Sequence, residues 1–191
     1  MGNVVVSQFV TVDGVFEDPG GSEELERGGW AFRFDRGDEG NSFKLDEVMA
    51  SDALLLGRVT YEGFAAAWPS RTGDFADKFN GMPKYVVSTT LERPEWNNST
   101  VITDDVPARV AGLKEQYRGD ILVNGSGRLV DTLLEHGLVD ELRLMVFPVL
   151  LGAGRRLFGD GGDTALRLVD SRPVGPEGVL VLTYRPAERE G

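Results

Sequence analysis

Three short segments of this sequence place glycine, hydroxyl and cationic residues directly after an apolar run. They are Gly57-Arg58-Val59-Thr60, Ser88-Thr89-Thr90 and Gly125-Ser126-Gly127-Arg128. Glycine lets a ligand approach the backbone closely, and backbone N–H groups together with a guanidinium bind phosphate well. In open α/β sheets, ligands bind beyond the carboxyl ends of the strands. Three such ends predict a site for a long ligand with more than one phosphate; the alternative is a set of ordinary turns with nothing bound.

The stretch over residues 54–64, LLLGRVTYEGF, shows how one of these segments is positioned. Its three leucines form an unbroken apolar run, which is typical of a strand covered on both faces. Thr60 is predicted to cap the helix that follows. In that helix Tyr61, Phe64 and Trp68 share one apolar face.

The two glycines around Ser126 are the best candidates for holding a pyrophosphate, because they allow close approach to a helix N-terminus. The segment departs from the dinucleotide-binding pattern G-x-G-x-x-G, since Val130 stands where the third glycine would be. His136 is the only histidine and is predicted to end a helix, where a structural role is favoured. Without this histidine no Ser-His-Asp triad can be assembled, and because cysteine is also absent, neither a thiolate nucleophile nor a metal centre is expected.

The bulk composition excludes several classes of protein. The chain has 191 residues with 41% hydrophobic content, which suits a single globular domain over residues 1–191. A net charge of −11 argues against general nucleic-acid binding. No apolar run approaches the about 20 residues that a membrane helix needs. Because no signal peptide is recognisable and cysteine is missing, the expected compartment is the cytoplasm.

The hydrophobic pattern predicts about eight strands and four or five helices. Strands alternate with helices in the first two thirds, beginning with a strand over residues 4–10 and a helix started by Asn41 or Ser42. The last third contains three strands with no clear helix between them. Alternation predicts parallel strands, whereas consecutive strands pair antiparallel. We therefore expect an α/β fold whose eight-stranded mixed sheet is mostly parallel, with an antiparallel C-terminal edge.

With these segments placed, the chain resembles the dihydrofolate reductase-like superfamily. The closer resemblance is to the group of the C-terminal reductase domain of the bifunctional riboflavin-biosynthesis deaminase–reductase. It covers nearly the whole chain and is carried by VVVSQFVTVDGVF, LLLGRVTYEGF, KYVVSTT, ILVNGSGRLVDTLL and VDELRLMVFPVLLGAGRRLF. The last segment is the most specific. The resemblance implies a dihydrofolate reductase-like fold and NADPH as the cofactor.

The resemblance also implies cofactor-binding roles for residues at four turns. The adenosine-side phosphates would contact Gly57, Arg58 and Thr60, and the adenine with the 2′-phosphate would lie near Ser88 and Thr89. The pyrophosphate would be held by Gly125, Ser126, Gly127 and Arg128. The nicotinamide would border Asp13, Gly14 and Val15. Asp13 is in addition the candidate catalytic residue, although an aspartate beside a glycine is also typical of a turn.

The residues expected to contact the substrate differ from those of dihydrofolate reductases and riboflavin-pathway reductases. Dihydrofolate reductases proper carry an acid on the first helix, and Asn41 occupies the corresponding place before Gly57, with Glu47 nearby but out of register. Riboflavin-pathway reductases often have glutamate before the later glycine turn, where this chain has Asn124. In the long loop over residues 16–40, which is predicted to be functional or mobile, Trp30 is a candidate stacking wall for a substrate.

The working prediction is an NADPH-dependent reductase that transfers hydride to a small heterocyclic or carbonyl-like substrate. One alternative is 5-amino-6-(5-phosphoribosylamino)uracil reductase, whose substrate needs a second phosphate site, with Arg33, Arg36, Arg155 and Arg156 as candidates. The other is a non-catalytic nucleotide-binding or structural dimer. Since related reductase domains dimerise, a homodimer is expected, with the late strand over residues 142–151 as its edge.

Overall fold

An eight-stranded sheet organises the computed structural model, which describes residues 1–159 and 163–187. Its strands are, in chain order, β1 (Val4–Thr11), β2 (Ser51–Gly57), β3 (Lys84–Val87), β4 (Ser99–Ile102), β5 (Asp120–Val123), β6 (Glu141–Phe147), β7 (Leu166–Val174) and β8 (Val179–Pro186). The α-helices of the described residues are α1 (Gly37–Ala50), α2 (Arg58–Ala67), α3 (Asp74–Gly81), α4 (Val106–Gln116) and α5 (Gly127–Glu135), and a 3-10 helix spans Trp30–Arg33.

The strands are arranged in the order β4-β3-β2-β5-β1-β6-β8-β7. Every neighbouring pair from β4 to β6 is parallel, whereas β8 runs antiparallel to both β6 and β7. This confirms the predicted mixed sheet with its antiparallel C-terminal edge. Because β1 to β6 all point the same way, their carboxyl ends meet along one edge of the sheet, as the ligand-binding prediction requires.

The middle of the sheet is covered on both faces. Leu54 and Leu56 of β2 pack with side chains of α1, α2 and α3, while Leu55 faces α4 and α5 on the other side. All three leucines have no exposed surface. Their unbroken apolar run therefore has the physical cause expected for a parallel strand, namely helices on both faces.

Two helix starts differ from the sequence-based expectation. The first residue of α2 is Arg58 and its N-cap is Gly57, so Thr60 does not cap it. Helix α1 begins at Gly37 rather than at Asn41 or Ser42, because the backbone N–H of Gly37 already finds an acceptor in the Asp35 carboxylate at 2.7 Å.

The predicted dimer edge over residues 142–151 is wrong. Strand β6 ends at Phe147 and pairs with β1 on one side and β8 on the other, so its backbone groups are already used. The free C-terminal edge belongs to β7, which follows β6 in sequence but lies outside β8 in the sheet. Among the described residues, no helix is long and apolar enough to cross a membrane.

One buried lysine joins β3 to the segments around it. Lys84 has no exposed surface. Its Nζ donates hydrogen bonds to the carbonyl oxygens of Asn80 at 2.7 Å, Met82 at 2.9 Å and Asn97 at 2.9 Å, and it lies 4.3 Å from the centroid of the Trp96 ring. The ammonium group thereby satisfies carbonyls at the end of α3 and in the loop before β4.

Replacing Lys84 by methionine is expected to lower the free energy of unfolding by about 2 to 4 kcal/mol, because three carbonyls lose a charged donor in a buried place. Urea denaturation measures this change. The control is Lys78→Met on α3, whose ammonium makes no hydrogen bond to the described residues. Equal stability of the two variants would contradict the role given to Lys84.

Candidate functional site

The carboxyl ends of β2 and β5 are joined by hydrogen bonds that centre on Ser126. The backbone N–H of Gly57 donates to Ser126 Oγ at 2.9 Å, and the backbone N–H of Ser126 donates to Thr60 Oγ1 at 3.0 Å. Ser126 Oγ in turn donates to the carbonyl oxygen of Asn124 at 2.9 Å. The structure thus brings two of the three predicted segments into direct contact, and it shows what the Thr60 hydroxyl does instead of capping α2.

The turn before α5 needs its glycine for two reasons. Gly125 has a φ of 53°, in the left-handed region, and a Cβ at this position would lie 2.5 Å from Thr60 Oγ1. Ser126 also has a positive φ, 59°, which is costly for a residue with a side chain. The bonds from Gly57 and to Thr60 hold Ser126 in this conformation.

Sequence reasoning missed Gln8, which fixes the same turn from β1. Gln8 Nε2 donates to the carbonyl oxygen of Gly125 at 2.6 Å, and the backbone N–H of Gly125 donates to Gln8 Oε1 at 3.0 Å. The signal was present in the sequence, since Ser7 and Gln8 interrupt an otherwise apolar strand, and a polar side chain buried in a strand needs a partner.

Gly127, the first residue of α5, is covered by an aromatic ring. A Cβ at Gly127 would lie 2.6 Å from Cζ of Phe16, which comes from the loop after β1. Phe16 itself is buried. Glycine at this position therefore makes room for the Phe16 ring, in addition to any ligand that the helix N-terminus binds.

The cationic residues of the predicted site lie on the surface of the same sheet edge. Arg58 forms an ion pair with Glu62 one turn later, at 3.0 Å, and both side chains are close to half exposed. Arg128, the second residue of α5, is exposed. Neither guanidinium is enclosed, so both can turn toward an anionic ligand.

In the turn after β3, the hydroxyl groups of Ser88 and Thr89 have different surroundings. Ser88 is buried, and its Oγ accepts hydrogen bonds from the backbone N–H groups of Thr90 at 3.1 Å and Leu91 at 3.0 Å. Ser88 therefore shapes the turn. Thr89 is exposed beside it, and because β3 lies next to β2, this hydroxyl belongs to the same edge as Arg58.

Asp13 fastens the loop after β1 to the loop after β6. Its carboxylate accepts hydrogen bonds from Thr11 Oγ1 at 2.6 Å and from the backbone N–H groups of Gly152 at 2.8 Å and Leu151 at 3.2 Å. The bond from the Thr11 hydroxyl is the main cause that lowers the pKa of Asp13 to about 2. A carboxyl group with this pKa carries no proton at neutral pH, so the geometry favours the turn role over a proton-donating one.

Gly14 and Val15 continue this connection. The carbonyl oxygen of Gly14 accepts a hydrogen bond from the backbone N–H of Leu157 at 2.9 Å. Val15 has no exposed surface and pairs with Arg156 in an isolated antiparallel bridge. The segment over residues 139–158, which is the most specific part of the resemblance, therefore forms β6 and then a loop. This loop packs against the loop after β1 and holds it in place.

The two residues predicted for the substrate side are both held by the protein. Trp30 has no exposed surface; its Nε1 donates to the carbonyl oxygen of Glu17 at 2.8 Å, and its ring meets Phe147 edge-on at 5.5 Å. It presents no face on which a substrate could stack in this conformation. Asn124 is half-buried, and its Nδ2 donates to the carbonyl oxygen of Ser7 at 3.0 Å.

Glu47 does not replace the acid that dihydrofolate reductases carry on the first helix. Its carboxylate is buried, accepts a hydrogen bond from Ser7 Oγ at 2.8 Å, and contacts Lys44 and Arg143. Arg143 also pairs with Asp120, the first residue of β5. Glu47 therefore faces the amino ends of the strands, away from the edge that carries the predicted site. Within residues 1–159 and 163–187, no group of three or more His, Asp or Glu side chains could hold a metal ion.

Comparisons with known proteins support one family. A family model described as the RibD C-terminal domain matches residues 3–180. The uncharacterized protein YyaP of Bacillus subtilis is 28% identical over 187 residues, which cover 95% of this chain and 93% of that protein.

Two solved structures show the same fold. A protein of Shewanella sp. PV-4 assigned to riboflavin biosynthesis aligns with a TM-score of 0.73 at 23% identity, covering 98% of this chain and 100% of that one. Dihydrofolate reductase from Enterococcus faecalis, solved with NADP(H), aligns with a TM-score of 0.61 at 16% identity, covering 98% of each chain.

The lowered pKa of Asp13 makes the stability of the protein depend on pH in acid. Because the folded pKa lies below the ordinary 3.8, the carboxylate stabilises the fold above about pH 4, and this contribution is lost as the pH falls through 2. Asp13→Asn is therefore expected to be less stable than the parent near neutral pH, with the difference shrinking between pH 4 and pH 2. Thermal unfolding across that range measures it.

The control for this experiment is Asp46→Asn, at an exposed position on α1, which is expected to follow the parent at every pH. If Asp13→Asn also followed the parent, the Asp13 carboxylate would not be holding the two loops together.

Proposed function

Because this chain belongs to the RibD C-terminal domain family, we propose that it is an NADPH-dependent reductase acting on a small heterocyclic or carbonyl-like substrate. The family and the dihydrofolate reductase-like fold make it a protein of the reductase type, as the resemblance predicted. The observation that carries the proposal is the junction of β2 and β5, where Ser126 bonds Gly57 and Thr60 beside the N-terminus of α5.

The groups along this edge suit the phosphates of a dinucleotide. Arg58 and Arg128 supply two guanidinium groups at the surface, and α5 supplies backbone N–H groups at its N-terminus. In a chain with a net charge of −11, an anionic ligand depends on such local positive groups. We assign the adenosine end to Thr89 and the pyrophosphate to the turn before α5.

The nicotinamide is assigned to the end of β1, where Gly14 and Val15 are braced by the loop after β6. NADPH, when bound, supplies the hydride, and the protein orients the two reactants and excludes water. Phe16 lies over Gly127 in this structure, so a phosphate that approaches this backbone requires the ring to move aside. Such an enzyme would work where NADPH is available, in agreement with the cytoplasm expected from the sequence.

The first test is a titration of the purified protein with NADPH and with NADH, followed by nicotinamide fluorescence. We expect saturable binding that favours NADPH. Arg58→Ala is expected to weaken NADPH binding roughly 10-fold, because a charge-assisted hydrogen bond to phosphate contributes about 1.5 kcal/mol.

The matched control for Arg58→Ala is Arg118→Ala, an exposed arginine in the turn between α4 and β5, at the opposite edge of the sheet. It is expected to bind NADPH like the parent. Equal effects of the two substitutions would remove Arg58 from the site. If neither nucleotide bound, the reductase proposal would fail, and the non-catalytic dimer would replace it.

We also propose that the protein is a homodimer. Helix α5 covers the part of the sheet near β1 and β5, but the same face of β6, β8 and β7 continues beyond it. Cross-strand neighbours Leu144 and Leu182, and Val146 and Leu180, lie on this open sheet face. Leu180 is 41% exposed, so a second copy laid on the open sheet face would remove apolar surface from water.

Light scattering is expected to give twice the mass of one chain for the parent protein. Leu180→Lys places a charge on the open sheet face and is expected to shift the protein to the monomer. Met49→Lys is the control, because Met49 is 52% exposed on α1, remote from that face. A parent that is monomeric at every concentration would contradict the dimer.

A further inference from the structure

Gln8 is a buried polar residue in a central strand, and one distant residue uses both ends of its side-chain amide. It is 3% exposed and lies on the face of β1 that α4 and α5 cover, together with Val4 and Val6. Its Oε1 accepts a hydrogen bond from the backbone N–H of Gly125 at 3.0 Å, and its Nε2 donates to the carbonyl oxygen of Gly125 at 2.6 Å. Two hydrogen bonds to one residue restrain both its position and its orientation.

These two hydrogen bonds begin where the backbone pairing of β1 with β5 ends. The last paired residues of the two strands are Val6 and Val123. Gln8 and Gly125 stand two residues further along, and there the Gln8 side chain supplies the donor and the acceptor that a neighbouring strand would otherwise supply. The chain after β5 can therefore turn towards α5 while it stays attached to β1.

Gln8 completes a set of contacts that holds all three residues of this turn. Asn124 is bound to β1 through its side chain, and Ser126 is bound to β2 and α2. Gly125 stands between them with a left-handed φ of 53°, and within the described residues its backbone groups bond only Gln8. Gln8 thus holds the middle of the turn.

The turn decides where the first N–H groups of α5 point. The first hydrogen bond of the helix runs from the backbone N–H of Val130 to the carbonyl oxygen of Ser126 at 3.0 Å. The N–H groups of residues 127–129 precede this bond and find no acceptor in the part of the chain that the structure describes, which leaves them for a ligand. Their direction follows from the backbone of residues 124–126, because the helix continues from that turn.

We propose that Gln8 is a positioning residue for the cofactor: it holds the Gly125 turn so that the N-terminus of α5 meets the pyrophosphate of a bound dinucleotide. Gln8 acts through Gly125 rather than by contact with the cofactor. The inference rests on the proposed reductase function and adds a residue that sets the affinity for the pyrophosphate from within the sheet. A turn that is ordered in advance binds more tightly, because it does not have to be ordered when the ligand arrives.

The first variant is Gln8→Leu, which keeps the approximate size of the side chain and removes both hydrogen bonds. NMR titration of the full chain measures its affinity for NADP⁺, which contains the pyrophosphate, and for adenosine 2′-monophosphate, which lacks it. We expect Gln8→Leu to bind NADP⁺ roughly 10-fold more weakly than the parent. Its affinity for adenosine 2′-monophosphate is expected to be unchanged, because this ligand reaches only the adenosine end of the site, whereas a general loss of structure would weaken both.

The matched control is Gln116→Leu, the same substitution at the exposed last residue of α4. It is expected to bind both ligands like the parent. Hydrogen exchange of the Gly125 amide in the protein without ligand shows directly whether the turn is held. This exchange is expected to be roughly 10-fold or more faster in Gln8→Leu, as the loss of a hydrogen bond implies, and unchanged in Gln116→Leu.

The variant Gln8→Glu gives the positioning role a pH dependence. Burial and the facing carbonyl oxygen are expected to raise the pKa of the introduced carboxyl group. When ionised, this group accepts from the N–H of Gly125 but repels its carbonyl oxygen; when protonated, it donates to that oxygen as glutamine does. NADP⁺ affinity relative to the parent is therefore expected to rise for Gln8→Glu as the pH falls from about 8 to about 5.5, with the Gly125 amide shift returning towards that of the parent. For Gln8→Leu both quantities are expected to stay constant.

The outcomes separate this proposal from the reductase proposal. If the parent binds NADP⁺ and Gln8→Leu binds it equally well, or loses both ligands in equal proportion, Gln8 does not position the pyrophosphate site and the reductase function stands. Equal exchange of the Gly125 amide in Gln8→Leu and the parent would also overturn the role of Gln8. If the parent bound none of NADPH, NADH and NADP⁺, the reductase proposal would fail, and the cofactor role of Gln8 would fail with it.

Discussion

The candidate site depends on one short set of hydrogen bonds, those that hold the turn after β5 against its two neighbouring strands. Ser126 bonds Gly57 and Thr60 on the β2 side, while Gln8 on β1 binds both backbone groups of Gly125. These bonds keep Gly125 and Ser126 in left-handed conformations that an isolated turn would rarely adopt. The N-terminus of α5 is thereby directed at the space above the sheet, where the phosphates of the proposed cofactor would lie.

The loop after β1 is positioned by a second set of contacts, with the loop after β6. Asp13 binds Leu151 and Gly152, and Glu17 binds Arg155. Because β1 and β6 are parallel neighbours, the two loops leave the sheet side by side and can brace each other. The same bracing sets Phe16 over Gly127, so the second set of contacts reaches the turn that the first one holds.

The distribution of charge separates structural ion pairs from groups available to ligands. Around the amino ends of the strands, Arg143 pairs with Glu47 and Asp120, and Lys44 pairs with Glu47, so that two cations balance two carboxylates. At the carboxyl edge, Arg58 and Arg128 lie on the surface, and the only acidic partner of Arg58 among the described residues is the half-exposed Glu62. In an acidic protein, exposed cations on one edge attract anions there. The buried ion pairs thus stabilise the fold, whereas the arginines of the carboxyl edge remain accessible to a ligand.

The sequence by itself determined the order of elements, the mixed sheet and the family, because apolar runs, glycine turns and the alternation of strands and helices are local patterns. It also placed the three segments that we propose to bind phosphate at the ends of buried strands. The tertiary structure alone decided which of these touch: that Thr60 bonds Ser126 rather than capping α2, and that Gln8 fixes Gly125 across the sheet. It also showed that Trp30 is buried. Those facts depend on contacts between residues far apart in the chain, which no local pattern records, since they exist only once β1, β2 and β5 lie side by side.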